Sequence, residues 1–104
     1  KEGVIGVPTI TLPQILGDRR PEIIKIDIEG SEFRALKDCP EVLDNAEIII
    51  TEYCDSQLQR TSGCSGRQYY DLFEDFCWHR MNGKPVSFEE LPTGGYDNFL
   101  LFRR

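Results

Sequence analysis

Residues 22–32 read EIIKIDIEGSE and set the architecture of the chain. The apolar, β-branched run at residues 22–28 predicts a strand, and Gly30 predicts a tight exit from it. Residues 32–39 then predict a helix that ends at Pro40. A strand that turns at a glycine into a helix is typical of an α/β fold.

A second strand is predicted at residues 46–53, which read AEIIITEY. Its three consecutive isoleucines, Ile48, Ile49 and Ile50, favour burial on both faces, as in a parallel sheet. A strand at residues 4–10 and a short helix that begins at Thr11 are predicted before residue 22, so strands and helices alternate along the chain.

The second half of the chain contains the clearest helix signal. After a loop at residues 54–65, Ser65 and Gln68 form a capping-box pattern, and apolar residues 69, 72, 73 and 76 follow at helical spacing. This pattern predicts an aromatic helix that reaches His79. Short strands at residues 85–88 and 98–104 complete an α/β fold with a mostly parallel sheet and an antiparallel last strand.

Length and charge narrow the possible functions. The chain has 104 residues and a net charge of -6, which favours one domain with a small-molecule or protein partner and disfavours nucleic acid. No apolar window is long enough for a membrane span, so we expect a cytoplasmic chain without one. Four cysteines without a C-x-x-C pair predict reduced thiols and no metal site.

Polar residues at the carboxyl ends of the two central predicted strands form the candidate site. Asp27 and Glu29 end the first of them, beside Gly30, and Glu52 ends the second. Strand alternation predicts that Lys25, Asp27 and Glu29 lie on one face of the first strand and that Ile26 and Ile28 lie on the other. Ligands of open α/β sheets bind beyond these ends. In the alternative interpretation, Lys25 pairs with one acid while the other favours the start of the next helix. The residues alone leave both interpretations open.

Four segments occur in an order that is characteristic of one family. They read VPTITL (7–12), IKIDIEGSE (24–32), IITE (49–52) and NFLLF (98–102). In these segments the chain resembles the FkbM family of S-adenosylmethionine-dependent methyltransferases. The resemblance implies the carboxyl-terminal half of a class I (Rossmann-like) methyltransferase fold, with its fourth to seventh strands and the last inserted antiparallel. Residues 1–104 are then expected to be a partial methyltransferase domain whose Gly-rich cofactor-binding half precedes Lys1.

The resemblance also implies a reaction. S-adenosylmethionine is the implied cofactor, and the implied reaction is methyl transfer to a hydroxyl of a small molecule or sugar. Asp27 is then expected near the cofactor and acts as the orienting group or base, with Glu29 as its catalytic partner. Glu52 is expected to contact the substrate, since methyl transfer requires an aligned acceptor and removal of its proton.

Two other functions stay open at this point. Paired acids on a strand also hold the ions of two-metal nucleases, although no acid follows His79 closely and the net charge disfavours a nucleic-acid substrate. A half-domain can also be a non-catalytic binding or assembly unit. The strand at residues 22–28 would then be a sheet edge, so the isolated chain is expected to self-associate or to be marginally stable.

Overall fold

The structure is a computed structural model that describes residues 17–18, 21–27, 30, 32–37 and 40–104. The predicted elements at residues 4–16, and the candidate residue Glu29, lie outside these residues. The described elements are, in chain order, β1 (Ile23–Ile26), α1 (Glu32–Leu36), a 3-10 helix (Pro40–Leu43), β2 (Ile48–Tyr53), α2 (Asp55–Gln57), a π-helical segment (Leu58–Ser62), α3 (Gly66–Asp71), β3 (Phe76–Arg80), a second 3-10 helix (Phe88–Glu90) and β4 (Asp97–Arg103).

The described strands form one mixed sheet in the order β1-β2-β4-β3. β1 is parallel to β2, with Ile26 opposite Thr51. β4 lies between β2 and β3 and is antiparallel to both, with Phe99 opposite Thr51. The predicted antiparallel last strand is therefore confirmed, but the sheet is mixed and not mostly parallel in the part of the chain that the structure describes.

One face of the sheet, which we call the core face, carries the described helices. It presents Ile26, Ile49, Thr51, Tyr53, Phe76, Trp78, Phe99 and Leu101, all at most 8% exposed. Leu36 of α1 and Tyr69 of α3 belong to the same buried cluster. The hydroxyls of Thr51 and Tyr69 lie 2.6 Å apart, so these two buried polar groups satisfy each other.

The opposite face of the sheet, which we call the acid face, follows from the register. Lys25 lies opposite Ile50, and Glu52 lies opposite Asn98. Leu100 is opposite both Ile50 and His79. All of these residues are exposed or half-buried.

The alternation predicted for residues 25–27 is confirmed, because Lys25 and Asp27 are exposed while Ile26 is buried. The predicted burial on both faces of β2 is not confirmed. Ile49 is fully buried, whereas Ile48 and Ile50 are half-buried.

The predicted aromatic helix is correct at its start and wrong at its end. Ser65 caps α3, and Gln68 completes the capping box as predicted. The helix ends at Asp71, however, and Phe76 begins β3, which places His79 on a strand. Phe76 and Trp78 alternate with half-buried neighbours, so the period of two and the pairing with β4 override the helical spacing. Tyr69, Phe73 and Phe76 are nevertheless core residues.

Three further expectations need correction. Residues 85–88 do not form a strand: Pro85 makes an isolated bridge to His79, and Ser87 caps a 3-10 helix with Glu90. Residues 54–65 are not a simple loop, because they contain α2 and the π-helical segment. The helix predicted at residues 32–39 is described only as Glu32–Leu36. None of the helices in the described part of the chain has the length and apolar character of a membrane span.

Candidate functional site

The sheet brings two predicted site residues to one edge. β1 and β2 are parallel, so their carboxyl ends meet at the same edge, where β4 begins with Asp97 opposite Tyr53. Asp27 directly follows Ile26, the last residue of β1, and Glu52 directly follows Thr51, the partner of Ile26. Neighbouring strands lie about 4.8 Å apart, so both residues belong to one corner of the acid face, which we call the acid corner.

The two carboxylates differ in their surroundings. Asp27 is exposed, whereas Glu52 is half-buried and lies opposite Asn98 of β4. The corner therefore presents one acid that solvent or a ligand reaches freely and a second that the sheet partly covers. A positively charged or hydroxyl-bearing ligand fits such a corner, because carboxylates accept hydrogen bonds and attract cations.

The loop after β1 is fixed by a backbone turn at Gly30. Gly30 has a φ of +100°, which favours glycine, and its N–H donates to a carboxylate oxygen of Glu32 at 2.9 Å. The Ser62 hydroxyl donates to the carbonyl of Gly30. A Cβ atom at Gly30 would lie only 2.4 Å from the carbonyl oxygen of Gln57. Gly30 is thus held between α1, α2 and the π-helical segment.

Arg34 strengthens the same attachment from α1. Its guanidinium donates to the carbonyl of Thr61 at 2.6 Å, and its backbone N–H donates to the Ser62 hydroxyl at 3.4 Å. Glu32 is only 2% exposed, and its contact with Gly30 explains why an acid is tolerated there. These contacts join the loop after β1 to the segment after β2.

A second group of polar side chains lies on the core face, beyond the end of β2. Asp55 accepts hydrogen bonds from the Gly66 N–H at 2.8 Å and from the Gln59 side-chain amide at 2.9 Å. Tyr53 lies beside Gly66, since a Cβ atom there would be 1.8 Å from the Tyr53 hydroxyl oxygen. Burial raises the pKa of the neighbouring Cys64 thiol, and the charge of Asp55 is the next largest cause of this shift.

The buried tyrosines Tyr53 and Tyr69 are expected to make the protein less stable at high pH. Burial, with the charge of Asp55 as the next cause, raises the pKa of Tyr53 to about 12. Burial also raises the pKa of Tyr69. Because the unfolded phenol has a pKa of about 10, the folded state holds more protons between these values and loses stability as the pH rises. For Tyr53 this loss is complete only above its folded pKa of about 12.

Urea unfolding between about pH 9 and about pH 12, followed by circular dichroism, measures this loss. In Tyr53→Phe the free energy of unfolding should fall less steeply as the pH rises. Tyr69 should account for part of the pH-dependent loss of stability that this variant keeps. Equal slopes in the variant and the parent protein would contradict the role given to Tyr53.

The sequence predicted the acid corner better than the group at the end of β2. Asp27 and Glu52 lie at the carboxyl ends of two neighbouring strands, while Glu29 lies outside the described residues. Tyr53 and Asp55 were missed because their partner, Gly66, is supplied by the following helix, which no local pattern connects to β2. Within the described residues, no three His, Cys, Asp or Glu side chains come together as a potential metal site.

Comparison with known proteins gives one match. The model of the methyltransferase FkbM domain matches residues 1–93, which include all strands described above except β4. No curated protein and no solved structure matches the chain. The predicted family resemblance is thereby confirmed.

Proposed function

The chain belongs to the FkbM methyltransferase family, and from this premise we propose that the complete protein transfers the methyl group of S-adenosylmethionine to a hydroxyl of a small molecule or sugar. The match over residues 1–93 carries this proposal. The segment from Ile24 to Glu32, which carries the sequence resemblance, contains β1, Asp27 and the Gly30 turn. The acid corner is therefore the part of the described chain where we place the reaction.

The strand order supports a class I methyltransferase fold. We propose that β1, β2, β3 and β4 are its fourth to seventh strands, because the last strand in the chain lies between the two before it and runs antiparallel to both. In this interpretation the carboxyl ends of β1 and β2 face the ligands, as in other open α/β sheets.

The chemistry of the acid corner fits the proposed cofactor. S-adenosylmethionine supplies a methyl group on a positively charged sulfur and also carries an ammonium group. The adjacent carboxylates of Asp27 and Glu52 provide negative charge next to such groups. A polyanionic ligand would meet repulsion at the same place.

The roles of the carboxylates follow from what methyl transfer requires. The acceptor oxygen must be aligned with the methyl carbon, and its proton must leave. Asp27 is exposed at the strand end and can accept that proton or orient the hydroxyl, with Glu29 as its partner. Glu52 is half-buried one strand away and can hold a second hydroxyl of the acceptor.

A non-catalytic binding unit is the second candidate function. Among the described strands β1 is an edge, and Ile23 is 64% exposed there. An exposed strand edge with an apolar side chain favours pairing with another chain. The experiment below separates this candidate from the methyltransferase.

Calorimetric titration of S-adenosylmethionine tests the proposed function. We expect the protein as its gene encodes it to bind the cofactor and the 104-residue chain alone to bind it weakly or not at all. Adenosine triphosphate is the control ligand, because it carries adenosine with a polyanion that the acid corner disfavours. Absence of S-adenosylmethionine binding by both polypeptides would contradict the methyltransferase and leave the binding unit.

A further inference from the structure

A cleft lies at the carboxyl edge of the sheet, on the core face and therefore on the side opposite Asp27 and Glu52. It has a volume of about 470 Å3 and lies between the end of β2, the start of α3 and residues 88–93. Its wall is mostly apolar, with Phe88, Leu91 and Pro92 among its residues. This volume and this kind of lining are usual for small-molecule sites.

Tyr53 gives the cleft a hydroxyl group to which no residue in the described part of the chain is bonded. The side chain is only 3% exposed, and its ring makes edge contacts with Trp78 and Phe99 at centroid distances of 6.2 and 6.4 Å. Its hydroxyl lines the cleft and makes no hydrogen bond to any residue that the structure describes. The hydroxyl is therefore available to hydrogen-bond a ligand in the cleft.

Asp55 adds a fixed acceptor beside that hydroxyl. One carboxylate oxygen accepts from the Gly66 N–H at 2.8 Å and the other from the Gln59 amide at 2.9 Å. Each oxygen keeps a further lone pair, because a carboxylate accepts about four hydrogen bonds in total. Gly66 lets the groups converge, since its missing Cβ atom would lie 1.8 Å from the Tyr53 oxygen and 3.0 Å from an Asp55 oxygen.

Charges of both signs lie around the cleft. Asp55 and Glu89 line it and disfavour an anion. Arg67 also lines it, stacks over the Phe88 ring at 4.8 Å and pairs with Asp71 at 3.2 Å, so a cation would meet a guanidinium there. A neutral molecule with hydroxyl groups avoids both repulsions.

We propose that this cleft binds a small neutral ring with adjacent hydroxyls, a sugar or a cyclic polyol. One ligand hydroxyl donates to Asp55, and it or its neighbour accepts from Tyr53. The apolar face of the ring packs against Leu91 and Pro92. Tyr53 and Asp55 are held in place before the ligand arrives, which lowers the entropy lost on binding. The site does not depend on methyl transfer, because no group of the acid corner takes part in it.

Nuclear magnetic resonance titration of the intact, labelled protein tests the proposal directly. The probes are myo-inositol and the methyl glycosides of the common hexoses, at millimolar concentration. We expect saturable shifts of the Gly66 and Arg67 amide signals with at least one probe. If no probe moves these signals, the proposal is wrong.

Two matched variants locate the binding group. Tyr53→Phe removes the hydroxyl that lines the cleft and should weaken probe binding at least about tenfold without loss of stability at neutral pH. Tyr69→Phe makes the same chemical change at a hydroxyl bonded to Thr51, outside the cleft lining, so it should lower stability and leave the affinity unchanged. Unchanged affinity in Tyr53→Phe, or equal loss in both variants, would overturn the proposal. S-adenosylmethionine binding is measured separately, so failure of one proposal does not imply failure of the other.

Discussion

Gly30→Ala is expected to destabilise the protein by about 3–5 kcal/mol. The substitution combines two penalties. Alanine is strained at the φ of +100°, and its Cβ atom would lie 2.4 Å from the Gln57 carbonyl oxygen. That oxygen belongs to backbone, so relief requires α2 to move away from the loop after β1. Urea unfolding measures the loss as a lower midpoint.

Gly83→Ala is the matched control for this experiment. Gly83 has a φ of +89°, but a Cβ atom there would have nothing within 4 Å. It should therefore cost only the conformational strain, about 1–2 kcal/mol. The difference between the two variants reports the contact between Gly30 and Gln57. Equal losses would mean that α2 does not clamp the loop in solution.

Asp27→Asn is expected to lower kcat of the proposed methyl transfer by about 100- to 1000-fold. Asparagine keeps the size and the hydrogen-bonding oxygen of the side chain but cannot accept the proton of the acceptor hydroxyl. Asp27 is exposed, so stability should change little. The measurement is initial-rate kinetics with labelled S-adenosylmethionine, together with thermal unfolding of both proteins.

Asp44→Asn controls for the loss of a negative charge. Asp44 is also exposed, but it precedes β2 and lies near the other end of that strand. Its replacement should leave kcat unchanged. If Asp27→Asn retained full turnover, Asp27 would be neither the base nor the orienting group.

Local patterns predicted the parts of the fold that neighbouring residues decide. The alternation of Lys25, Ile26 and Asp27 identified the two faces of β1, and Ser65 with Gln68 identified the start of α3. These features depend on residues within a few positions of one another, and the structure confirms both.

Two features that distant residues decide were not predicted, the strand at Phe76 and the cleft beside Tyr53. Phe76 fits a helix that contains Tyr69, but it also fits a strand that contains Trp78, and pairing with β4 some 20 residues later selects the strand. The cleft has the same origin. Tyr53 and Gly66 meet only because α2 and the π-helical segment return the chain to the end of β2.

The position of β4 between β2 and β3 has a consequence for synthesis on the ribosome. β4 is the last of these strands to leave the exit tunnel, and without it β2 and β3 have no shared partner. Ile48 pairs with Phe102 and Phe76 with Arg103, so the sheet cannot be completed before residue 103 has been synthesised. Until then β2 exposes an unpaired edge, which makes the growing polypeptide a natural client for chaperones that cover extended apolar segments.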